Sequence, residues 1–111
     1  MDCIFCKIVS HELPAKILYE SDNLVAFPDI HPLADTHIVI IPKTHIANIS
    51  EAQGNGELLS EVFQTADKLA EENDLKKRFY RILVNGGNAQ HVPHLHFHLL
   101  GGNYLKWEKE N

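Results

Sequence analysis

Three histidines stand at every second position of the segment HLHFHLL, residues 94–100, with Leu95, Phe97 and Leu99 between and after them. Side chains of an extended strand alternate between its faces, so His94, His96 and His98 share one side at a repeat of roughly 6.6–6.8 Å. A lone surface histidine is an ordinary solvated residue, but three in register opposite an apolar face make a chemical surface. Two chemistries suit it. Imidazole is the commonest metal ligand, and a strand supplies ligands at i and i+2. A neutral imidazole is also a nucleophile, and its neighbours then bind the anionic transition state.

The surroundings favour phosphorus as the electrophile. Asn85-Gly86-Gly87-Asn88 precedes the strand and offers amide donors on a backbone that can approach an anion closely. At the other end of the chain, Cys3 and Cys6 have the spacing of half a tetrahedral zinc site, which needs two more nitrogen or sulfur ligands. The following His pair of a zinc finger is absent, and no βαβ pattern surrounds the cysteines as in a thioredoxin-like redox pair. The remaining alternative is a pair of buried apolar cysteines.

These residues must be positioned by a small fold. The chain has 111 residues, 44% hydrophobic and 23% charged, which suits one domain over 1–111 with a single core. Residues 3–10 suit two helical turns, stopped before Pro14. KILYES and NLVAFPD form two short β-rich runs joined at Ser21-Asp22-Asn23, and THIVIIPK is a β-branched run closed by Pro42. Over 57–74 the period changes: Leu58, Leu59, Val62, Phe63, Ala66, Leu69 and Ala70 recur at helical spacing, with Glu61, Gln64, Asp67, Lys68 and Glu71 opposite. RFYRILVN and HLHFHLL follow as strands across the loop GGNAQHVP. The order predicts an α+β fold: a five-stranded, mostly antiparallel sheet with one long helix on one face and a short N-terminal helix.

Charge and hydropathy exclude some partners. A net charge of −5 with scattered basic residues argues against nucleic acid and against an anionic membrane surface. No run reaches the roughly 18–20 apolar residues of a membrane span, and MDCIFCKIVS lacks the apolar stretch of a secretory signal. A cytoplasmic protein is expected, with its two cysteines in a reducing compartment.

HLHFHLL also resembles the histidine triad signature, His-φ-His-φ-His-φ-φ with φ apolar. PAKILYESDNLVAFPDI, THIVIIPKTHI and LLGGNYLKW resemble the Hint branch of that HIT superfamily in order, over nearly the whole chain. The LLGG continuation sets Hint-like proteins apart from the Fhit-like branch. The resemblance implies that His96, the middle histidine, attacks the α-phosphorus of a nucleotide and forms a covalent nucleotidyl-histidine, from which water releases the nucleoside monophosphate. An ordinary imidazole pKa of about 6.5 leaves such a ring largely neutral at cytoplasmic pH. Attack through one ring nitrogen requires the other to carry the proton, held by an acceptor such as a main-chain carbonyl of the same strand region.

The same resemblance assigns His98, Asn85, Gln90 and His91 to the phosphate and leaving group, with His91 standing where a serine is common. It gives Asp29 to the ribose hydroxyls, and Ile4, Phe5, Ile8, Phe27 and Ile30 to a purine pocket. It implies structural zinc held by Cys3, Cys6, His45 and His94. It further implies a homodimer with sheets extended across protomers, and substrates among purine nucleoside phosphoramidates or related monophosphate esters and anhydrides. Two alternatives come with it: a Fhit-like dinucleoside polyphosphate hydrolase, and a nucleotide-binding interaction protein with incidental catalysis. The tail NYLKWEKEN keeps Trp107 at its family position but ends in charged residues.

Overall fold

A computed structural model describes residues 3–105; the expectations for Trp107 and the charged tail lie outside the described residues. The elements are α1 (Ile4–Val9), β1 (Tyr19–Glu20), β2 (Leu24–Pro28), β3 (Ala34–Pro42), α2 (Gly56–Glu72), β4 (Phe79–Val84) and β5 (Phe97–Leu105). Short 3-10 turns at 49–52, 75–77 and 87–89 join them. The strands form one five-stranded sheet in the order β1-β2-β3-β5-β4, with every neighbouring pair antiparallel. The α+β architecture is the predicted one.

Two apolar layers cover the two faces of this sheet. On one side α2 lays Val62, Ala66, Leu69 and Ala70 against Leu24, Ile38, Ile40, Leu95, Phe97 and Leu99. Each buried Val, Leu or Phe of this kind contributes about 1.5–3 kcal/mol through removal of apolar area from water. On the other side α1 packs Phe5 and Ile8 over Val25, Phe27, Val39 and Ile41. Strands β2 and β3 are therefore buried on both faces, which explains why LVAF and HIVII are continuous apolar runs rather than alternating ones.

Three differences from the pattern reading have physical causes. KILYES contributes only the two-residue β1, an edge strand whose pairing is limited to Tyr19 with Ala26 and Glu20 with Val25. Phe63, expected on the apolar face of α2, is 57% exposed, and Thr65 is buried instead. Phe63 lies on the flank of the helix, one turn from Leu59, over an apolar groove with Ile49, Val84 and Phe97. Glu61, expected on the solvated side, is half-buried and accepts hydrogen bonds from Ser21 Oγ at 2.6 Å and Asn23 Nδ2 at 3.0 Å, tying α2 to the turn between β1 and β2.

The last strand begins later and runs further than HLHFHLL suggests. Residues 94–96 precede β5, and pairing continues through the glycines to Leu105. A Cβ on Gly101 would meet Tyr80 Cβ at 2.8 Å and Phe79 O at 2.9 Å, and one on Gly102 would meet Asp35 Oδ2 at 2.5 Å. Gly102 also has φ +129°, open to glycine but not to most residues. The pair thus lets β5 pass between β3 and β4 at close range. No helix among the described residues is long and apolar enough to cross a membrane.

Candidate active site

The alternation around β5 holds even where strand pairing has not begun. Leu95, Phe97 and Leu99 face the α2 layer, and the imidazoles face the other way. That second face is not solvent, as a surface strand would have it. His94 and His96 are buried, because α1 lies across them: Phe5 meets His96 edge-on at 5.1 Å between ring centroids and His94 at 5.9 Å.

Burial forces each ring to commit its protons. His96 Nδ1 lies 2.8 Å from the main-chain oxygen of His94. A carbonyl only accepts, so Nδ1 carries the proton and Nε2 is left with its lone pair. His94 Nε2 donates in the same way to the carbonyl of Pro42 at 2.8 Å, which leaves its Nδ1 unprotonated. Burial lowers the His94 pKa, with His45 and His96 pushing the same way against the Pro42 hydrogen bond.

A fourth imidazole, His37, belongs to this site and was not singled out by the triad spacing. The Leu33 N–H donates to its Nδ1 at 3.1 Å, so the proton of the neutral ring sits on Nε2, 2.8 Å from His98 Nδ1 and 3.5 Å from Asp29 Oδ2. His98 Nδ1 is then an acceptor and its Nε2–H the donor left for a ligand. Burial lowers the pKa of His37 against the pull of Asp29. Burial, aided by His96 and His37, lowers that of His98 to about 4. Both rings are neutral at ordinary pH, and the chain from Leu33 to His98 has one direction. The available signal was the pattern of THIVII: a histidine inside a run of buried β-branched residues must have a partner.

These rings open onto a cavity of about 610 Å³. His31, His37, His91, His96 and His98 line it together with Asp29 and Asn85, and none of its lining residues is Lys or Arg. An anion held there is met by imidazole and amide groups rather than by an ammonium or guanidinium. Asp29 Oδ1 accepts the His31 N–H at 2.8 Å, which holds the turn after β2. The ring of His91 makes no hydrogen bond among the described residues. Gln90 is not brought into the cavity: its Nε2 is committed to the carbonyls of Ala47 at 2.6 Å and Val92 at 2.9 Å, so it braces the loop that carries His91.

A second cavity of about 490 Å³ adjoins the first and shares Phe5, Asp29 and Val39 with it. Ile4, Phe5, Ile8, Phe27 and Ile30 all line it. Ile30 is 86% exposed at its rim, so this wall is open to solvent.

Cys3, Cys6, His45 and His94 converge from three parts of the chain, their ligand atoms all within 4.8 Å of one another. His94 Nδ1 lies 3.3 Å from Cys3 Sγ and 3.6 Å from Cys6 Sγ, and His45 Nδ1 lies 3.2 Å from Cys6 Sγ and 3.1 Å from His94 Nδ1. A tetrahedral zinc ion with ordinary Zn–S and Zn–N bonds separates its ligand atoms by roughly 3.3–3.8 Å. The donor set fits such an ion, and His94 already presents the unprotonated nitrogen it requires. Burial raises the Cys6 pKa, and Cys3 beside it adds to the rise, first by its hydrogen bond and then by its charge; a central cation would favour the ionised thiols instead. Asp29, His37 and His98 also lie within 4.8 Å of one another, but the Leu33 N–H places the His37 proton on the nitrogen a metal would need. That trio is a His37–His98 hydrogen bond with the Asp29 carboxylate 3.5 Å from the donating nitrogen.

Fold and cavity together define an α+β protein built around an unprotonated imidazole nitrogen. A family model described as the HIT domain matches residues 10–105, and the chain belongs to the HIT family. It is 45% identical over 109 residues to an uncharacterized HIT-like protein of Synechococcus elongatus, covering 96% of this chain and 95% of that one. It is 38% identical over 107 residues to the purine nucleoside phosphoramidase of Escherichia coli, covering 94% and 90%. A HIT family hydrolase from Legionella pneumophila has the same fold at a TM-score of 0.90 and 43% identity, over 96% of this chain and 97% of that one.

Proposed function

We propose that the chain is a nucleotidyl hydrolase or transferase acting on purine nucleoside 5′-phosphoramidates or related esters and anhydrides. The observation that carries this reading is the His94 carbonyl at His96 Nδ1, which leaves Nε2 bare in a cavity that also holds the donors of His98 and Asn85. His96 Nε2 attacks phosphorus, an N–P bond forms, and the bond to the leaving amine breaks as the amine takes up a proton by way of the His91 imidazole. Water then attacks the same phosphorus and returns a proton to that imidazole, the N–P bond to His96 breaks, and the nucleoside monophosphate leaves. His98 Nε2–H and the Asn85 amide hold the phosphoryl oxygens, where fixed donors stabilise developing charge. His91, whose ring makes no hydrogen bond among the described residues, is assigned to the leaving group. Asp29 takes the ribose hydroxyls and the adjoining apolar cavity takes the purine. Kinship to the Escherichia coli phosphoramidase supports the substrate class.

Cys3, Cys6, His45 and His94 are proposed to hold structural zinc, whose chemistry here is to fix its four ligands rather than to act on substrate. Thiols that must stay reduced suit the cytoplasm. A homodimer formed through β4 is supported by its place at the sheet edge with Tyr80 and Ile82 exposed, since an exposed apolar edge invites strand pairing. Rapid acid-free quenching during turnover of a guanosine or adenosine 5′-phosphoramidate, followed by mass analysis of the peptide spanning 91–100, tests the mechanism. A nucleotidyl adduct on His96 is the expected result, and turnover with no adduct on any histidine overturns it.

A further inference from the structure

We infer that the metal centre sets nucleotide affinity, by clipping α1 into place as the wall of the purine cavity; this rests on the nucleotide reading above. The helix has six residues, Ile4–Val9, far short of the roughly 12–15 that an isolated helix needs for marginal stability. It pairs with no strand, and the HIT family model begins only at residue 10, just after it. Its position therefore depends on what holds it to the sheet.

Two sets of contacts from opposite sides of this helix lead to two different sites. Cys3, its N-cap, and Cys6, one turn on, face His94 and His45. Ile4, Phe5 and Ile8 line the purine cavity, and Phe5 also lies against His96. Neither cysteine lines the purine cavity or the imidazole cavity. An ion joining the thiolates to His94 and His45 thus ties the purine wall to the segment leading into β5 and to the loop after β3 without touching nucleotide. When the ion leaves, the helix keeps the packing of Cys3, Phe5, Ile8 and Val9 and the thiol–imidazole contacts to His94 and His45, and the wall loses the metal bonds that fix it in place. By linkage, any factor by which metal tightens nucleotide binding is the factor by which nucleotide tightens metal binding.

The test uses the full chain, zinc-loaded and zinc-stripped, with GMP and ribose 5-phosphate as probes. Zinc removal is expected to weaken GMP at least tenfold while ribose 5-phosphate, which has no base, changes less than twofold. Saturating GMP is expected to raise zinc affinity, measured against a chromophoric chelator, by the same factor. Cys6→Ser with zinc present is expected to bind GMP like the stripped wild type. Failure to bind zinc stoichiometrically, equal GMP affinity with and without zinc, or equal losses for both probes each overturns the inference. So does loss of the cooperative melt and sheet signal on stripping, which would make the ion a condition of the whole fold. A zinc-loaded chain with no affinity for GMP fails differently: it removes the nucleotide reading, and this inference with it.

Discussion

His37 Nε2 and His98 Nδ1 lie 2.8 Å apart, and the direction of the bond between them is set from outside the pair by the Leu33 N–H on His37 Nδ1. A donor on one imidazole thereby determines which nitrogen of the next one is left as a donor beside the cavity. His37→Ala is expected to lower kcat by roughly 10²-fold, the scale on which outer partners of functional groups act, with little change in nucleotide affinity. His37→Gln, whose amide can still donate to His98, is expected to recover part of that loss. Equal rates for both variants and wild type would remove His37 from the mechanism.

His96→Ala is expected to cost at least ~10³-fold in rate and to abolish the trapped adduct while GMP binding stays nearly intact. Single-turnover kinetics and calorimetry measure the two quantities separately. Activity within tenfold of wild type would mean that another group attacks phosphorus.

Asp29→Asn keeps the size of the side chain and removes the charge proposed to attract two ribose hydroxyls. The expected loss is roughly 10- to 100-fold in affinity for GMP, the scale of hydrogen bonds to a charged group, with little loss for the 2′,3′-dideoxy analogue. Equal losses for both ligands would show that the carboxylate acts only on the turn it holds through His31.

Acid should destabilise the metal-free fold across a definite window. The His98 pKa is about 4 in the fold against 6.5 ordinarily, so between these values the unfolded chain binds a proton that the folded chain refuses. Stability is therefore full above about pH 6.5 and falls as pH drops toward 4. His37 and His94 are lowered too and act in the same sense. Urea midpoints of wild type and His98→Asn over this range check it: the variant should show the shallower fall.

Leu99→Ala removes a fully buried side chain between β5 and α2 and is expected to cost about 2–5 kcal/mol in denaturant unfolding. Because Leu99 faces away from the cavity, kcat measured well below the melting temperature should change little.

The period of the chain revealed the elements, and the residue types picked out much of the candidate site that the fold gathers. Alternation at 94–99 separated imidazoles from core, and the Cys3/Cys6 spacing pointed to ligands that the fold brings to His45 and His94. What pattern alone could not show was the layer above the imidazoles. Periodicity says which side of a strand a residue faces, not what covers that side, so the burial of His94 and His96 under Phe5 emerged only in three dimensions. His37 was hidden for a related reason: within THIVII it looks like one more member of a buried run. Gln90 stands beside His91 in sequence, yet its amide is spent on Ala47 and Val92, a choice that depends on a loop 43 residues away.

The alternation along 94–99 has an evolutionary corollary. The three imidazoles, with the ligand, nucleophile and phosphate-donor roles proposed for them, all occupy even-numbered positions of 94–99, and the core residues occupy the odd ones. Insertion or deletion of a single residue inside this stretch would exchange the two sets, sending imidazoles under α2 and leucines into the cavity. Point substitutions can tune one function at a time here, whereas a change of length by one erases them all at once. The segment is thus a frame whose parity is under stronger constraint than any single letter within it.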